Sequence, residues 1–262
     1  MRRRALTKAT KALSPYLLDN YPATAAYSLR QLKSDVVYVA ECRRNDGTLR
    51  DFTAAEITDG TLETWASSTV VTIRTLYDQS GNSNDAIQTT VSQQNKIYSG
   101  SAFYLLGGKP AFLTTPHNGF LSITATDLED MFFVGKVDTY KTVNYIAYGS
   151  NGGVFTAGTL GGYNGTGIVT NGTRDLNDET LNHSLHYFHW NGVDEYSFAK
   201  NDGVLTTAGI QTQLTGVNVV FGRNLNSNLN YNGKAQEMIF FGDEASNREN
   251  IRDEINEYYS IY

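Results

Sequence analysis

Residues 183–209 read HSLHYFHWNGVDEYSFAKNDGVLTTAG, and they carry the clearest signals of the fold class. Two turn signals, Asn191-Gly192 and Asn201-Asp202-Gly203, interrupt runs in which residues of different polarity alternate. Asn and Gly tolerate the left-handed backbone of tight hairpin turns, and a period of two places one face of a strand in the core. The stretch therefore predicts short antiparallel strands joined by tight turns.

The same pattern extends in both directions along the chain. Upstream, residues 35–53 predict a hairpin around Asn45-Asp46-Gly47, residues 70–76 predict a strand, and residues 131–137 (MFFVGKV) predict a buried strand. Downstream, residues 217–224 (VNVVFGRN) and 233–242 (GKAQEMIFFG) predict two more strands. Turns every 8–12 residues, without alternating helices, predict an all-β fold, an antiparallel jelly-roll β-sandwich.

Two helices are predicted at the ends of this sandwich. Residues 22–33 (PATAAYSLRQLK) place Ala26, Leu29 and Leu32 on one apolar face, which predicts a short N-terminal helix. At the C-terminus, Ile251, Ile255 and Tyr258 follow the i, i+4, i+7 spacing of an amphipathic helix over residues 246–258. Ser246 and Glu249 have the spacing of a capping box at its start.

Charge divides the chain into a basic arm and an acidic domain. The net charge is −6, yet residues 1–18 contain five basic residues and no acid. We expect residues 1–21 to form a basic arm that anchors residues 22–262, the sandwich domain, to other proteins. The basic residues that would make the anchor are Arg2, Arg3, Arg4, Lys8 and Lys11.

The composition excludes several classes of site. The only cysteine is Cys42, which excludes an intramolecular disulfide and a CxxC zinc site. Apolar runs are all shorter than a membrane span, and we expect neither membrane nor nucleic-acid binding.

Two groups of known proteins resemble this sequence. The strands of residues 100–245 are similar to concanavalin A-like and laminin-G-like jelly rolls. The shared features are the N-D-G hairpin, a strand that ends in Gly-Arg, and Glu237 in the last strand. AAYSLRQL at residues 25–32 and LYDQSGNSNDAIQ at residues 76–88 resemble the catalytic domain of family 54 α-L-arabinofuranosidases. The same motifs, with the closing helix, resemble a group of bacteriophage virion proteins over residues 22–262.

The arabinofuranosidase resemblance implies an acid/base Asp directly after the strand at residues 217–221. This chain has Arg223 and Asn224 there, and neither side chain donates a proton at neutral pH. The resemblance also implies a vicinal Cys pair, which this chain lacks. The acids nearest in context, Asp175, Asp178 and Glu179, are interpreted as a solvated loop. We therefore expect no catalytic residues and no enzyme activity.

The YDQSGN run is interpreted as a structural turn. Asp78, Ser80, Asn82 and Asp85 can hydrogen-bond to their own backbone, Gly81 supplies a positive φ, and Tyr77 is expected to pack inward. Calcium remains an alternative because the run is rich in oxygen ligands, although no bidentate Glu stands at the twelfth position. No other cofactor or metal is expected.

The histidines do not predict a metal site. His186 and His189 are three residues apart on one strand, so they point to opposite faces. Trp190 is expected in the core, with a sugar-stacking platform as the alternative.

The sequence thus favours a non-enzymatic phage virion protein with a lectin-like domain: a head-fibre, capsid decoration or tail-associated protein, made in the host cytoplasm. Other virion proteins and a host surface glycan are the expected partners, and a homotrimer, then a dimer, the expected assembly. A glycoside hydrolase of the α-L-arabinofuranosidase type and a bacterial carbohydrate-binding module remain the alternatives. Cleavage of an aryl arabinofuranoside would favour the hydrolase.

Overall fold

The structure is a computed structural model. It describes residues 13–114, 120–123, 128–137, 145–149, 154–156, 183–190, 195–210, 217–221 and 233–262.

Short strands dominate the described residues. In chain order they are β1 (Ala25–Ser28), β2 (Ala40–Arg44), β3 (Leu49–Phe52), β4 (Val70–Leu76), β5 (Ala86–Ile87), β6 (Asn95–Ser99), β7 (Leu105–Leu106), β8 (Lys109–Pro110), β9 (Phe112–Thr114), β10 (Phe120–Ile123), β11 (Asp130–Val137), β12 (Tyr145–Gly149), β13 (Val154–Thr156), β14 (Ser184–Trp190), β15 (Glu195–Lys200), β16 (Thr206–Ile210), β17 (Val217–Val220) and β18 (Gly233–Phe241). The helices are α1 (Leu17–Asn20), α2 (Ala54–Thr58), α3 (Thr61–Ala66) and α4 (Arg248–Tyr259), and Val91–Gln93 form one 3₁₀ turn.

The strands pair antiparallel in one large sheet. Its order is β13-β12-β17-β10-β5-β4-β6-β9-β18-β11-β14-β15-β16, with β1 added on β18, and with β2 on β4 and β3 on β2. Strands β7 and β8 form a separate hairpin. The all-β, sandwich-like antiparallel fold with a C-terminal helix confirms the fold prediction.

Two hydrophobic cores lie on opposite faces of the central strands. Along β18, Met238 and Phe240 enter the first core, whereas Ile239 and Phe241 enter the second. The first core fills the interior of the sandwich, and the second lies beneath α4, which buries Ile251 and Ile255 there. Residues on both faces of these strands are therefore apolar, because neither face meets solvent.

The hairpins that the sequence predicts are present. In β14 and β15, His186 pairs with Lys200 and Trp190 with Tyr196. In the turn to β16, Asn201 adopts a φ of 53°, the left-handed backbone that Asn tolerates. The hairpin of β2 and β3 turns at Gly47, which has a φ of 90°.

The helix predicted for residues 22–33 is wrong. Residues 25–28 form β1, which pairs with β18 in the register Ala25↔Phe240 to Ser28↔Glu237. All four residues of β1 are buried, so the sheet uses both of its faces. Hydrogen bonding to a central strand outweighs the helical spacing of three apolar residues. The short N-terminal helix is α1 instead.

The C-terminal helix is present, with differences at both ends. Its N-cap is Asn247, whose side chain makes no capping bond, so the capping box predicted at Ser246 and Glu249 is wrong. Tyr259, rather than Tyr258, completes the buried stripe. A capping box does form at α2, between Thr53 and Glu56.

The folded part of the chain begins earlier than the predicted arm boundary. Leu17, Leu18 and Tyr21 belong to the second core, with Leu17 only 1% exposed. Residues 17–21, which were predicted to lie in the arm, therefore pack on the sandwich. The anchoring residues Arg2, Arg3, Arg4, Lys8 and Lys11 lie outside the described residues.

Candidate active site

The Asp78 carboxylate organises the YDQSGN loop. One oxygen, Oδ1, accepts hydrogen bonds from the backbone N–H groups of Ala26 and Ser80, each at 2.9 Å. The other, Oδ2, accepts from Ser80 Oγ at 2.7 Å and from the backbone N–H of Asn84 at 3.0 Å. Because protein donors occupy both oxygens, Asp78 is poorly placed to act as a nucleophile or proton donor.

The neighbouring side chains close the same loop. Asp85 Oδ1 accepts from the Asp78 backbone N–H at 2.9 Å, and Asn82 Nδ2 donates to the Thr24 carbonyl at 3.0 Å. Gly81 has a φ of 92°, which supplies the left-handed turn. The loop thus fastens the start of β1 to the end of β4.

Two residues of this region differ from expectation. Tyr77 is only half-buried, and its hydroxyl donates to Asp51 Oδ1 at 2.6 Å instead of packing inward. Gln79, which the sequence analysis missed, is fully buried. It accepts from the Leu32 backbone N–H at 2.7 Å and donates to the Ser28 and Arg30 carbonyls. Gln79 lies between two residues that are predicted to form a turn, so its position in the sequence does not indicate that it is buried.

Glu237 is fully buried in β18 and is neutralised by Arg30. Arg30 donates from Nε to Oε2 at 2.7 Å and from Nη2 to Oε1 at 2.9 Å. Ser28 Oγ and the Tyr259 hydroxyl also donate to Oε2, at 2.9 and 3.1 Å. Burial alone would lower the pKa of Arg30, but the charge and hydrogen bonds of Glu237 raise that pKa above its ordinary value. This ion pair fastens α4 and β1 to the sheet, and the Glu237 carboxylate, which accepts four hydrogen bonds, is unsuited to proton transfer.

A second buried carboxylate, Asp130, holds His189. His189 Nδ1 lies 2.9 Å from Asp130 Oδ1, which also accepts from the Tyr187 hydroxyl. The backbone N–H of Glu244 donates to Asp130 Oδ2 at 2.6 Å. The hydrogen bond to Asp130 raises the pKa of His189 despite partial burial.

His186 faces the opposite side of β14, as predicted from the spacing. Its ring lies 5.9 Å from that of Phe133, and burial followed by the charge of Lys200 lowers its pKa to about 3. Trp190 is 6% exposed and belongs to the first core. Across the part of the chain that the structure describes, no group of three or more His, Cys, Asp or Glu side chains is arranged to hold a metal ion.

The residue that directly follows strand β17 has a strained backbone. Phe221 follows β17 directly and has a φ of 56°, although it is bulky and fully buried. Its ring packs edge-on against Phe112 at 4.7 Å and against Tyr27 at 6.4 Å. Bulky residues rarely adopt a positive φ, and such strain is concentrated at functional sites. The end of β17 is therefore our candidate location for an active site.

Other polar features lie on β9 and β1, whose rings contact Phe221, and on β6, which pairs with β9. Thr114, the last residue of β9, pairs with Gly233, the first of β18, and its hydroxyl donates to the Gly233 carbonyl at 2.9 Å. Tyr27 donates to the Asn84 carbonyl at 2.5 Å, which links Phe221 to the YDQSGN loop. Asn95, on the neighbouring strand β6, is fully buried with both amide atoms unbonded.

The residues that the arabinofuranosidase resemblance singles out lie outside the described residues. They are Arg223, Asn224, Asp175, Asp178 and Glu179. Cys42 is described: it is buried in the first core, and burial raises the pKa of its thiol.

None of the helices in the described ranges is long and apolar enough to cross a membrane.

Comparison with solved structures identifies similar folds among glycosidases. A Glu→Gln mutant of GH54 α-L-arabinofuranosidase soaked with 4-nitrophenyl α-L-arabinofuranoside has a TM-score of 0.66 and 18% identity, covering 93% of this chain and 65% of its own. GH54 α-L-arabinofuranosidase soaked with a cyclic sulfate inhibitor gives the same values. An arabinofuranosidase complexed with arabinofuranosyl-α-1,2-xylobiose has a TM-score of 0.62 and 19% identity, covering 93% and 64%. No family model and no curated protein matches the sequence.

These matches correct the functional interpretation. They support the arabinofuranosidase resemblance, and none of them is a virion protein. The expectations of a non-enzymatic phage protein and of no enzyme activity are therefore wrong. At this identity the similarity shows the fold, and the chain spans about 65% of the length of the structures it matches.

Proposed function

We propose that this chain is a glycoside hydrolase that acts on α-L-arabinofuranosides. The observation that carries the proposal is the arabinofuranosidase fold, shared over 93% of the chain. The YDQSGN loop lends support, because it is linked through Tyr27 to the strained residue Phe221.

The proposed reaction needs two carboxyl groups about 5 Å apart if configuration is retained, or farther apart if it is inverted. Asp78, Asp130 and Glu237 are each engaged by several protein donors, which makes them poor candidates. Arg223 and Asn224 do not give up a proton at neutral pH, so the acid/base must be another residue. We expect the pair among acids outside the described residues: Asp127, Asp138, Asp175, Asp178, Glu179 and Asp194.

The test is release of 4-nitrophenol from 4-nitrophenyl α-L-arabinofuranoside between pH 4 and pH 8. Each of those acids is then replaced by its amide. We expect two of the replacements to lower kcat by about 10²–10⁴-fold, the usual contribution of a positioned proton donor or acceptor. A matched control is Asp59→Asn, because Asp59 is an exposed residue at the end of α2. It should leave turnover unchanged.

Release no faster than in buffer at every pH would contradict the proposed activity. Turnover that survives all six replacements would contradict the assignment of the carboxyl pair to these acids and place the chemistry at other residues.

A further inference from the structure

A pocket beside the C-terminal end of α4 combines two positively charged side chains with an aromatic ring. It opens to solvent, its enclosed volume is about 10 Å³, and its walls include Leu29, Arg30, Lys109, Pro110, Tyr258 and Tyr259. These residues come from the segment after β1, the β8 strand and α4. Phe221, at the end of β17, is not among the residues that line this pocket.

Both cations converge on the Tyr258 ring. Arg30 Cζ lies 4.6 Å from the ring centroid, and Lys109 Nζ lies 4.3 Å from it. Arg30 also lies 5.4 Å from the Tyr259 ring. The two positive charges therefore share one aromatic neighbour, and each would be stabilised by a negative charge of its own.

A negatively charged side chain compensates the charge of Arg30 but not that of Lys109. Glu237 takes Nε and Nη2 of Arg30, and all four of the hydrogen bonds that Glu237 accepts are internal to the fold. Glu254 feels the charge of Arg30 but does not line the pocket. Lys109 forms no ion pair with any described acid, and Arg30 Nη1 donates to no described acceptor. The pocket therefore keeps about one positive charge and unused N–H donors.

The Arg30 guanidinium is fixed before any ligand arrives. Its side chain is 10% exposed, and its two bonds to Glu237 define its plane. A guanidinium held in this way presents its remaining edge to a planar or tetrahedral oxyanion, and Lys109 adds a mobile point charge. A neutral ligand would leave the excess charge uncompensated.

We propose that this pocket binds a small oxyanion, either phosphate or the carboxylate of an acidic sugar, through Arg30 Nη1 and Lys109 Nζ. The site does not depend on the proposed hydrolase activity. Such a ligand stabilises the folded protein, because it binds the pocket of the folded state and compensates the excess positive charge there.

The experiment measures Tm of the full chain at constant ionic strength with sodium phosphate, sodium glucuronate, glucose or sodium chloride. At ten times its Kd, a ligand that binds only the folded state should raise Tm by about 3–6 °C. Lys109→Gln should abolish most of that rise. Lys109→Met, which keeps the stem over Tyr258, should do the same if the Gln variant is poorly folded.

The matched control is Lys96→Gln. It removes one positive charge from β6, a strand that does not line the pocket. Phosphate also stabilises proteins without binding, through exclusion from their surface, and that effect should be equal in both variants. The control should keep the full rise.

Each outcome decides the question. A rise with phosphate alone identifies an inorganic or phosphorylated ligand, and a rise with glucuronate alone identifies an acidic sugar; both support the site. A parent that responds to neither, or Lys109 variants that respond as the parent does, would overturn it. Because the readout is Tm, a chain without hydrolase activity is tested equally well.

Discussion

At the scale of single residues, two histidines on one strand have opposite electrostatic surroundings. His189 lies on the α4 side of β14 beside Asp130, with Asp243 and Glu129 also contributing negative potential. His186 lies on the other face, buried near Lys200. The strand separates them because adjacent side chains alternate between faces.

These surroundings predict opposite pH dependences of stability. The pKa of His189 is raised, so its contribution is fully present below the unfolded value of about 6.5 and is lost as pH rises through the folded pKa. The pKa of His186 is lowered to about 3, so its neutral form contributes stability that falls as pH drops from about 6.5. The free energy of unfolding, from urea titrations between pH 5 and 9, should therefore pass through a maximum.

Two variants show which histidine causes the loss of stability on each side of this maximum, the acid limb below it and the alkaline limb above it. His189→Gln should flatten the decrease above pH 6.5 and leave the acid limb unchanged, and His186→Gln should act on the acid limb alone. If His189→Gln left the alkaline limb as steep as in the parent, the Asp130–His189 pair would not be its source.

At the scale of elements, a loop with no regular structure determines where β1 lies. Asp78 bonds to the backbone of β1 at Ala26, and Gln79 bonds to the backbone at Ser28, Arg30 and Leu32. The strand itself pairs with β18. The loop thus takes the place of a second neighbouring strand, because its side chains satisfy the backbone groups on the other edge of β1.

Removal of the Asp78 carboxylate should therefore loosen β1. Asp78→Ala leaves buried and half-buried donors without an acceptor, and we expect it to lower the free energy of unfolding by about 2–4 kcal/mol. The measurement is a urea titration monitored by circular dichroism. Asp59→Ala, which loses one hydrogen bond at an exposed turn, should lower the free energy of unfolding much less than Asp78→Ala does. Equal losses in the two variants would show that the loop does not brace the strand.

At the scale of the whole molecule, the N-terminal segment belongs partly to the folded domain. Leu17 and Leu18 pack in the second core with residues of α4, so the two ends of the described chain stabilise each other. Residues 1–12 carry five basic side chains and no acid, and from this composition we expect them to contribute little to the stability of the domain.

Two deletions separate these parts. Removal of residues 1–12 should leave Tm within about 2 °C of the parent, less than the change from 1 kcal/mol. Removal of residues 1–20 takes out two buried leucines, each worth about 2–5 kcal/mol, and should lower Tm sharply or prevent folding. A 1–20 deletion as stable as the parent would show that α1 is dispensable.

The terminal helix, the hairpins β2–β3 and β14–β15–β16, and the strands β4, β11, β17 and β18 could be predicted from the sequence. Alternating polarity, Asn-Gly and Asn-Asp-Gly signals and the Ile251, Ile255 spacing are local, and in these segments the tertiary contacts agree with the local pattern. Three features follow from tertiary contacts alone: residues 25–28 form a strand, Arg30 neutralises Glu237, and Phe221 adopts its strained backbone beside Tyr27 and Phe112. Each of these depends on residues that are distant in sequence, over 207 positions in the case of Arg30 and Glu237. The free energies of burial and of strand and ion pairing arise only when such residues come into contact in the folded chain, so a local sequence pattern does not predict them.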